Sequence, residues 1–220
     1  MSGSFSNQLI DSMAALLLLI AFAMLSQRRI LRLIQLFAAQ GLVLAVNTFI
    51  VAYAIGRPEL YISGFITVVL KVILLPWLLH RLIDRLNIRW DVETLINIPT
   101  TMLVGIVVVI VSFNLALPIS HLAGTITRSS LGIAMACVLL SFLMMITRRK
   151  AVPQVIGFLA MENGLFFAAT SATYGMPMVV ELGIGLDVLV ATFIFGIFFF
   201  QIRETFDSLD IHHLEKLKDK

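Results

Sequence analysis

Three ionisable residues lie inside apolar runs: Glu162 in PQVIGFLAMENGLFFAATSAT, Asp187 in VVELGIGLDVLVATF and Lys71 in VVLKVILLPWLLH. A charge at bilayer depth costs about 3 kcal/mol or more on insertion scales, so such groups are kept for proton relays, ion paths or pairing with one another. Glu162 and Asp187 fall near the middle of consecutive apolar segments, which places two carboxyls at similar depth in one hairpin and points to proton transfer. The plainer reading is that each acid hydrogen-bonds a neighbouring helix or pairs with a basic group on another chain. Lys71 lies five residues before Pro76. It either pairs with one of the acids, or exchanges a proton beside a proline kink that frees backbone carbonyls for water.

Weaker candidates surround these three. Gln40 and Asn47 are seven residues apart, hence on one helix face, and suit either a water chain or hydrogen bonding between helices. Glu181 is either the outer mouth of a path or an acid at a helix start. His80, near an inner helix end, is either a proton-entry group or an interfacial histidine. His212 and His213 have no companion ligands in the sequence, so no metal site is expected. Walker, HExxH, CxxCH and GxGxxG patterns are all missing. Redox or hydrolytic chemistry is therefore expected to reside in partner chains, and no cofactor in this one.

The elements that must position these residues are long and apolar. The chain has 220 residues, 60% hydrophobic and 13% charged, with a mean hydropathy of +1.00, beyond the range of a soluble domain. Seven segments could span a hydrocarbon core, which takes roughly 20 helical residues: about 8–26, 31–55, 60–82, 98–117, 129–147, 152–174 and 178–202. β-barrel strands would be shorter and alternate in polarity. The expected fold is an all-α polytopic membrane bundle over 1–203 with a cytoplasmic tail at 204–220. The first segment has no basic region before it and is expected to be retained as a helix. Cys137, the only cysteine, is expected to be a small core residue.

Basic residues orient the bundle. Arg28, Arg29 and Arg32 follow segment 1, and Arg81, Arg85 and Arg89 follow segment 3. Arg148, Arg149 and Lys150 follow segment 5, and Arg203, Lys216, Lys218 and Lys220 follow segment 7. Arg57 and Arg128 alone fall on the other side. The positive-inside rule then puts the N-terminus outside and the C-terminus in the cytoplasm. It also explains the net charge of +3 without a nucleic-acid partner. Segments 2–3 can be laid over segments 6–7, matching Gln40 with Glu162 and Lys71 with Asp187. This would be a parallel repeat of 8–82 and 129–202 joined by a connector helix at 98–117, although apolar helices also match by composition alone.

FLAMENG (158–164), VVELGIGLDVLVA (179–191) and the tail SLDIHHLEKLK (208–218) resemble the membrane protein called hydrogenase-4 component E. The resemblance covers nearly the whole chain and is strongest in MENG and ELGIGLD. It implies the membrane arm of a group 4 [NiFe] hydrogenase or formate hydrogenlyase-type complex related to respiratory complex I, in the bacterial inner membrane. It also implies that the nickel–iron centre and iron–sulfur clusters sit in partner subunits. The implied partners are antiporter-like membrane subunits, an H-like membrane subunit of the complex I type, and peripheral hydrogenase subunits. The C-terminal half is similar to complex I subunit K, which carries glutamates of the proton path on two adjacent helices, and to the C subunit of Mrp-type cation/proton antiporters. Glu162 matches the first glutamate. Asp187 falls in the region of the second but is an aspartate at a shorter spacing, and Lys71 has no counterpart in subunit K. A structural spacer within such a complex and a component of an Mrp-like antiporter are the alternative readings.

Overall fold

At bilayer depth the backbone must satisfy its own hydrogen bonds, which favours helix throughout each apolar run. A computed structural model describes residues 2–56, 58–86, 92, 94–123 and 128–173, with Gly185, Leu189, Thr192 and Gly196 as helical positions beyond them. Among the described residues there are helices and turns but no strand. In order they are α1 (Ser2–Ser26), α2 (Ile30–Ile55), α3 (Glu59–Thr67), a π-helical segment (Val68–Leu74), α4 (Leu75–Leu86), α5 (Ile98–Ala123), α6 (Arg128–Thr147) and α7 (Ala151–Thr173). The helices α3 and α4 and the π-helical segment form one continuous rod, so six described helices are long and apolar enough to cross a membrane. The expected span at 178–202 lies outside the described residues apart from the four positions named, as do Glu181, Asp187 and the 204–220 tail.

Two hairpins, α1–α2 and α6–α7, form the centre and pack on each other through α1 with α6 and α2 with α7. The α3–α4 rod lies against α2, and α5 lies outside α6 and α1. Burial follows this layout: 67% of the spanning window of α7 is buried, against 22% for α5. The outward face of α5 carries Leu103, Ile106, Val107 and Ile110, all exposed. An apolar face of that extent is stable against lipid and a liability in water. Cys137 is fully buried in the core, as expected.

The sequence pattern ends the fourth span at 117, whereas α5 runs through Pro118 to Ala123. A single missing N–H is tolerated in an apolar helix, and Ile119, Leu122 and Ala123 still favour helix. At the α2–α3 turn Gly56 adopts φ 71, the left-handed cap that glycine takes without a Cβ clash, and its N–H donates to the Ala52 carbonyl at 2.9 Å.

The arginine-bearing turns come together at the other end of the bundle. The Val92 N–H donates to the Arg28 carbonyl and the Leu95 N–H to the Thr147 carbonyl, both at 2.8 Å. The connection after α4 thus straps the α1–α2 and α6–α7 turns together. Arg148, read from the sequence as one of the topology-setting charges, is 1% exposed. Its Nη2 donates to the Met24 carbonyl at 3.2 Å and the Leu25 carbonyl at 2.7 Å, capping the carbonyls that α1 leaves without helical partners. Burial pulls its guanidinium down to about 10, so it remains a cation at neutral pH.

Candidate functional site

The chemistry-bearing residues converge where the rod crosses α2 and α7. Proline has no N–H, and its ring crowds the carbonyl four residues earlier. Pro76 therefore disfavours an ordinary helical register over the preceding turn. There the backbone widens to a π-helix from Val68 to Leu74, with the Leu75 N–H donating to the Leu70 carbonyl. Where the sequence allows a proline kink, the structure has this wide turn, with Lys71 inside it. Wide turns of this kind are frequent at functional sites.

Lys71 is 4% exposed, and its ammonium donates to both oxygens of Glu162, at 2.7 Å to Oε1 and 2.8 Å to Oε2. Lys71 lies at the middle of the Glu59–Arg81 span and Glu162 at the middle of the Val152–Thr170 span. The sequence leaves two pairings open for Lys71, and the structure has the one with Glu162. The Lys71 ammonium also lies 5.0 Å from the centre of the Phe166 ring, one turn beyond Glu162 on α7, which adds a cation–π contact.

The MENG stretch has a physical role at each polar or small position. Glu162 holds Lys71. Asn163 is fully buried, and its Nδ2 donates to Gln40 Oε1 at 3.3 Å, which ties α7 to α2. Gly164 lets α7 approach α6: a Cβ there would lie 3.0 Å from Val138 Cγ2 and 3.1 Å from the Val138 backbone nitrogen. Gly41 does the same for α2, where a Cβ would meet Lys71 Cβ at 3.1 Å. Gly41 thus sets α2 close against the Lys71 turn, and Gly164 sets α7, which carries Glu162, close against α6.

Gln40 is therefore beside the site, held by Asn163. Asn47 is 1% exposed, and neither of its side-chain polar atoms has a partner. His80 is exposed on α4, nine residues or about 13 Å of helix from Lys71, and is not part of the cluster. Asp187 and Glu181 fall outside the described residues, so a two-carboxyl hairpin has no described geometry. Sequence reasoning missed Asn163, Ser63, Thr67 and Phe166. The signal for Ser63 and Thr67 was their four-residue spacing up to Lys71. A cavity of about 10 Å³ touches Ser63, Thr67, Lys71, Glu162 and Phe166. No group of three or more metal-ligating side chains occurs among the described residues.

Six apolar helices long enough to span a membrane among the described residues, with a desolvated ion pair at mid-span, define a polytopic membrane protein with an internal ionisable site. Over nearly its whole length the chain is similar to the proteins called hydrogenase-4 component E, in agreement with the resemblance read from its sequence. It is 23% identical to Hydrogenase-4 component E of Escherichia coli (strain K12) over 215 residues, 96% of this chain and 98% of that one, and equally to the protein of that name from Shigella flexneri. It is also 30% identical to the Uncharacterized protein Rv0085 of Mycobacterium tuberculosis over the full length of both chains. No protein-family model matches the chain, and no solved structure matches it significantly.

Proposed function

We propose that this chain is a membrane-arm subunit of a hydrogenase-type complex related to complex I, and that the Lys71–Glu162 pair is a proton-holding station in it. The observation that carries this reading is the pair itself: two opposite charges held at mid-span, each with little access to solvent. Desolvating both charges is expensive, and an apolar pair of similar size would hold the helices together at least as well. A proton arriving on Glu162 cancels its charge and removes the counter-ion of Lys71. The lysine is then a buried cation without support and passes its own proton onward. The pair thus takes up one proton and releases one without a net charge change at rest. The proposed topology has seven spans, the N-terminus outside and the C-terminus in the bacterial cytoplasm. Redox chemistry belongs to partner subunits, and antiporter-like membrane subunits are the neighbours along the proton path. The contact of α2 with α7 fits the proposed parallel repeat, in which these two helices correspond.

The experiment is Glu162→Gln in the intact complex, read as proton movement into membrane vesicles alongside hydrogen turnover and subunit co-purification. A proton station loses pumping while assembly persists. A structural spacer, favoured by the clamp-like geometry of the same ion pair, loses assembly and keeps its coupling in whatever complex remains.

A further inference from the structure

Along the α3–α4 rod, residues spaced by four form one line: Glu59, Ser63, Thr67, Lys71, Leu75, Leu79 and Ile83. In an α-helix each four-residue step drifts about 40° around the axis. The wide π-helical turn drifts in the opposite sense and keeps Lys71 under Thr67. The line changes character at Lys71. Towards the α2–α3 turn it is polar, beginning at exposed Glu59 and continuing through Ser63 and Thr67, which are 2% and 4% exposed. Towards the arginine end it is apolar and buried.

The facing helices show the same division. The near approaches of Gly41 to Lys71 and of Gly64 to Phe49 show that α2 runs antiparallel to the rod, so Asn47 lies at the level of Phe65 and Ile66. On this side Ser63 Oγ and both polar atoms of the Asn47 side chain are buried without partners. Buried polar atoms are normally satisfied, by ordered water where protein offers nothing. The cavity of about 10 Å³ bounded by Ser63, Thr67, Lys71 and Glu162 has room for one water molecule. On the other side Phe37 of α2, Ile156 and Leu159 of α7, and Leu75, Leu79 and Ile83 of α4 belong to one buried apolar cluster.

We infer that the Lys71–Glu162 pair is served by a water path from the Glu59 end alone, with Ser63 and Asn47 binding the waters. Between the pair and the arginine end, Leu75, Leu79 and Phe37 form a dry plug. A proton reaching the pair from the arginine side therefore crosses no water file within this layer, and exchange with solvent occurs through the Ser63 side. The sidedness of access stands apart from the proposed pumping role; only its use for protons rests on that reading.

The test uses the assembled complex in membrane vesicles of both orientations, with Cys137→Ala to remove the native thiol. Single cysteines are placed by Ser63→Cys, Asn47→Cys and Leu79→Cys, with Glu59→Cys and Arg149→Cys marking the two ends. Silver ion, small and membrane-impermeant, is applied to one side, and the surviving thiol is counted after denaturation. Ser63→Cys and Asn47→Cys are expected to lose their thiols from the side that modifies Glu59→Cys, and Leu79→Cys to keep its thiol from both. Two variants on the polar side guard against one failing to assemble. The inference is overturned if Ser63→Cys and Asn47→Cys both survive exposure from the Glu59 side, if either reacts from the Arg149 side, or if Leu79→Cys reacts. If sidedness is as stated and Glu162→Gln pumps normally, the proton-station reading fails and the water path remains.

Discussion

Lys71 Nζ lies 2.7 Å and 2.8 Å from the two carboxylate oxygens of Glu162, and the two side chains are 5% and 11% exposed. The lysine comes from the wide turn before Pro76 and the glutamate from the middle of α7. Their meeting joins the α3–α4 rod to the central hairpins, so each residue is at once a charge carrier and the other's counter-ion.

Removing one partner leaves the other charge buried. Lys71→Met or Glu162→Leu alone is expected to destabilise the protein by about 3–5 kcal/mol, whereas the double replacement recovers most of the loss because neither charge remains. Thermal unfolding of the detergent-solubilised protein, run as a double-mutant cycle, measures this. A double variant as unstable as the sum of the singles would contradict it.

How much of the fold and the site is legible in the sequence divides along physical lines. The spanning helices are legible because apolar runs of about 20 residues have one viable backbone conformation in lipid. Glu162 and Lys71 stand out individually because charge at depth is costly. Their pairing is not legible, since facing depends on helix rotation, and the π-helical turn that sets the rotation of Lys71 is marked in the sequence only by Pro76. Arg148 is misleading for a related reason. A basic residue at a helix end looks solvated until packing puts the end of α1 over it. Asn163 is hidden beside the charge of Glu162, although it makes the link to Gln40.

Gly41 sets the distance between α2 and the wide turn. A Cβ there meets Lys71 Cβ at 3.1 Å and the Lys71 backbone at 3.4 Å. Gly41→Ala requires a shift of a few tenths of an ångström, and Gly41→Val forces the helices apart, with an expected loss of about 1–3 kcal/mol from overpacking. The thermal midpoints of the two variants should fall in that order. Equal midpoints for Gly41→Val and the native protein would show that the close approach is not needed.

Arg148→Ala removes the donor to the Leu25 carbonyl and leaves the Met24 carbonyl only the longer 3.4 Å bond from the Gln27 N–H. The expected cost is about 1–3 kcal/mol, from one unsatisfied buried group. The pH dependence has a definite sign. Burial lowers the guanidinium from its ordinary, higher value to about 10. The folded state therefore binds fewer protons than the unfolded state between those values, and this residue's contribution to stability rises with pH there and is flat at neutral pH. Comparing native and Arg148→Ala unfolding at pH 7 and pH 8 should accordingly give the same difference. A difference that changes across that interval would assign Arg148 a titrating neighbour.

Pro76→Ala returns an N–H to the rod. The wide turn is then expected to close towards an ordinary helix and to rotate Lys71 relative to Glu162. Amide exchange should show greater protection around Val72 to Pro76, together with a lower thermal midpoint as the ion pair is strained. Unchanged protection would locate the cause of the π-helical turn elsewhere, in the packing of Gly41.

The central claim is that the pair moves protons and does more than hold helices together. The most direct measurement is proton movement per hydrogen turned over in vesicles carrying the double variant Lys71→Met with Glu162→Leu, chosen because it removes both charges without stranding either. A proton station gives an assembled complex that still turns over hydrogen but moves markedly fewer protons. Proton movement at the native ratio in that assembled variant would contradict the account and leave the pair as a clamp.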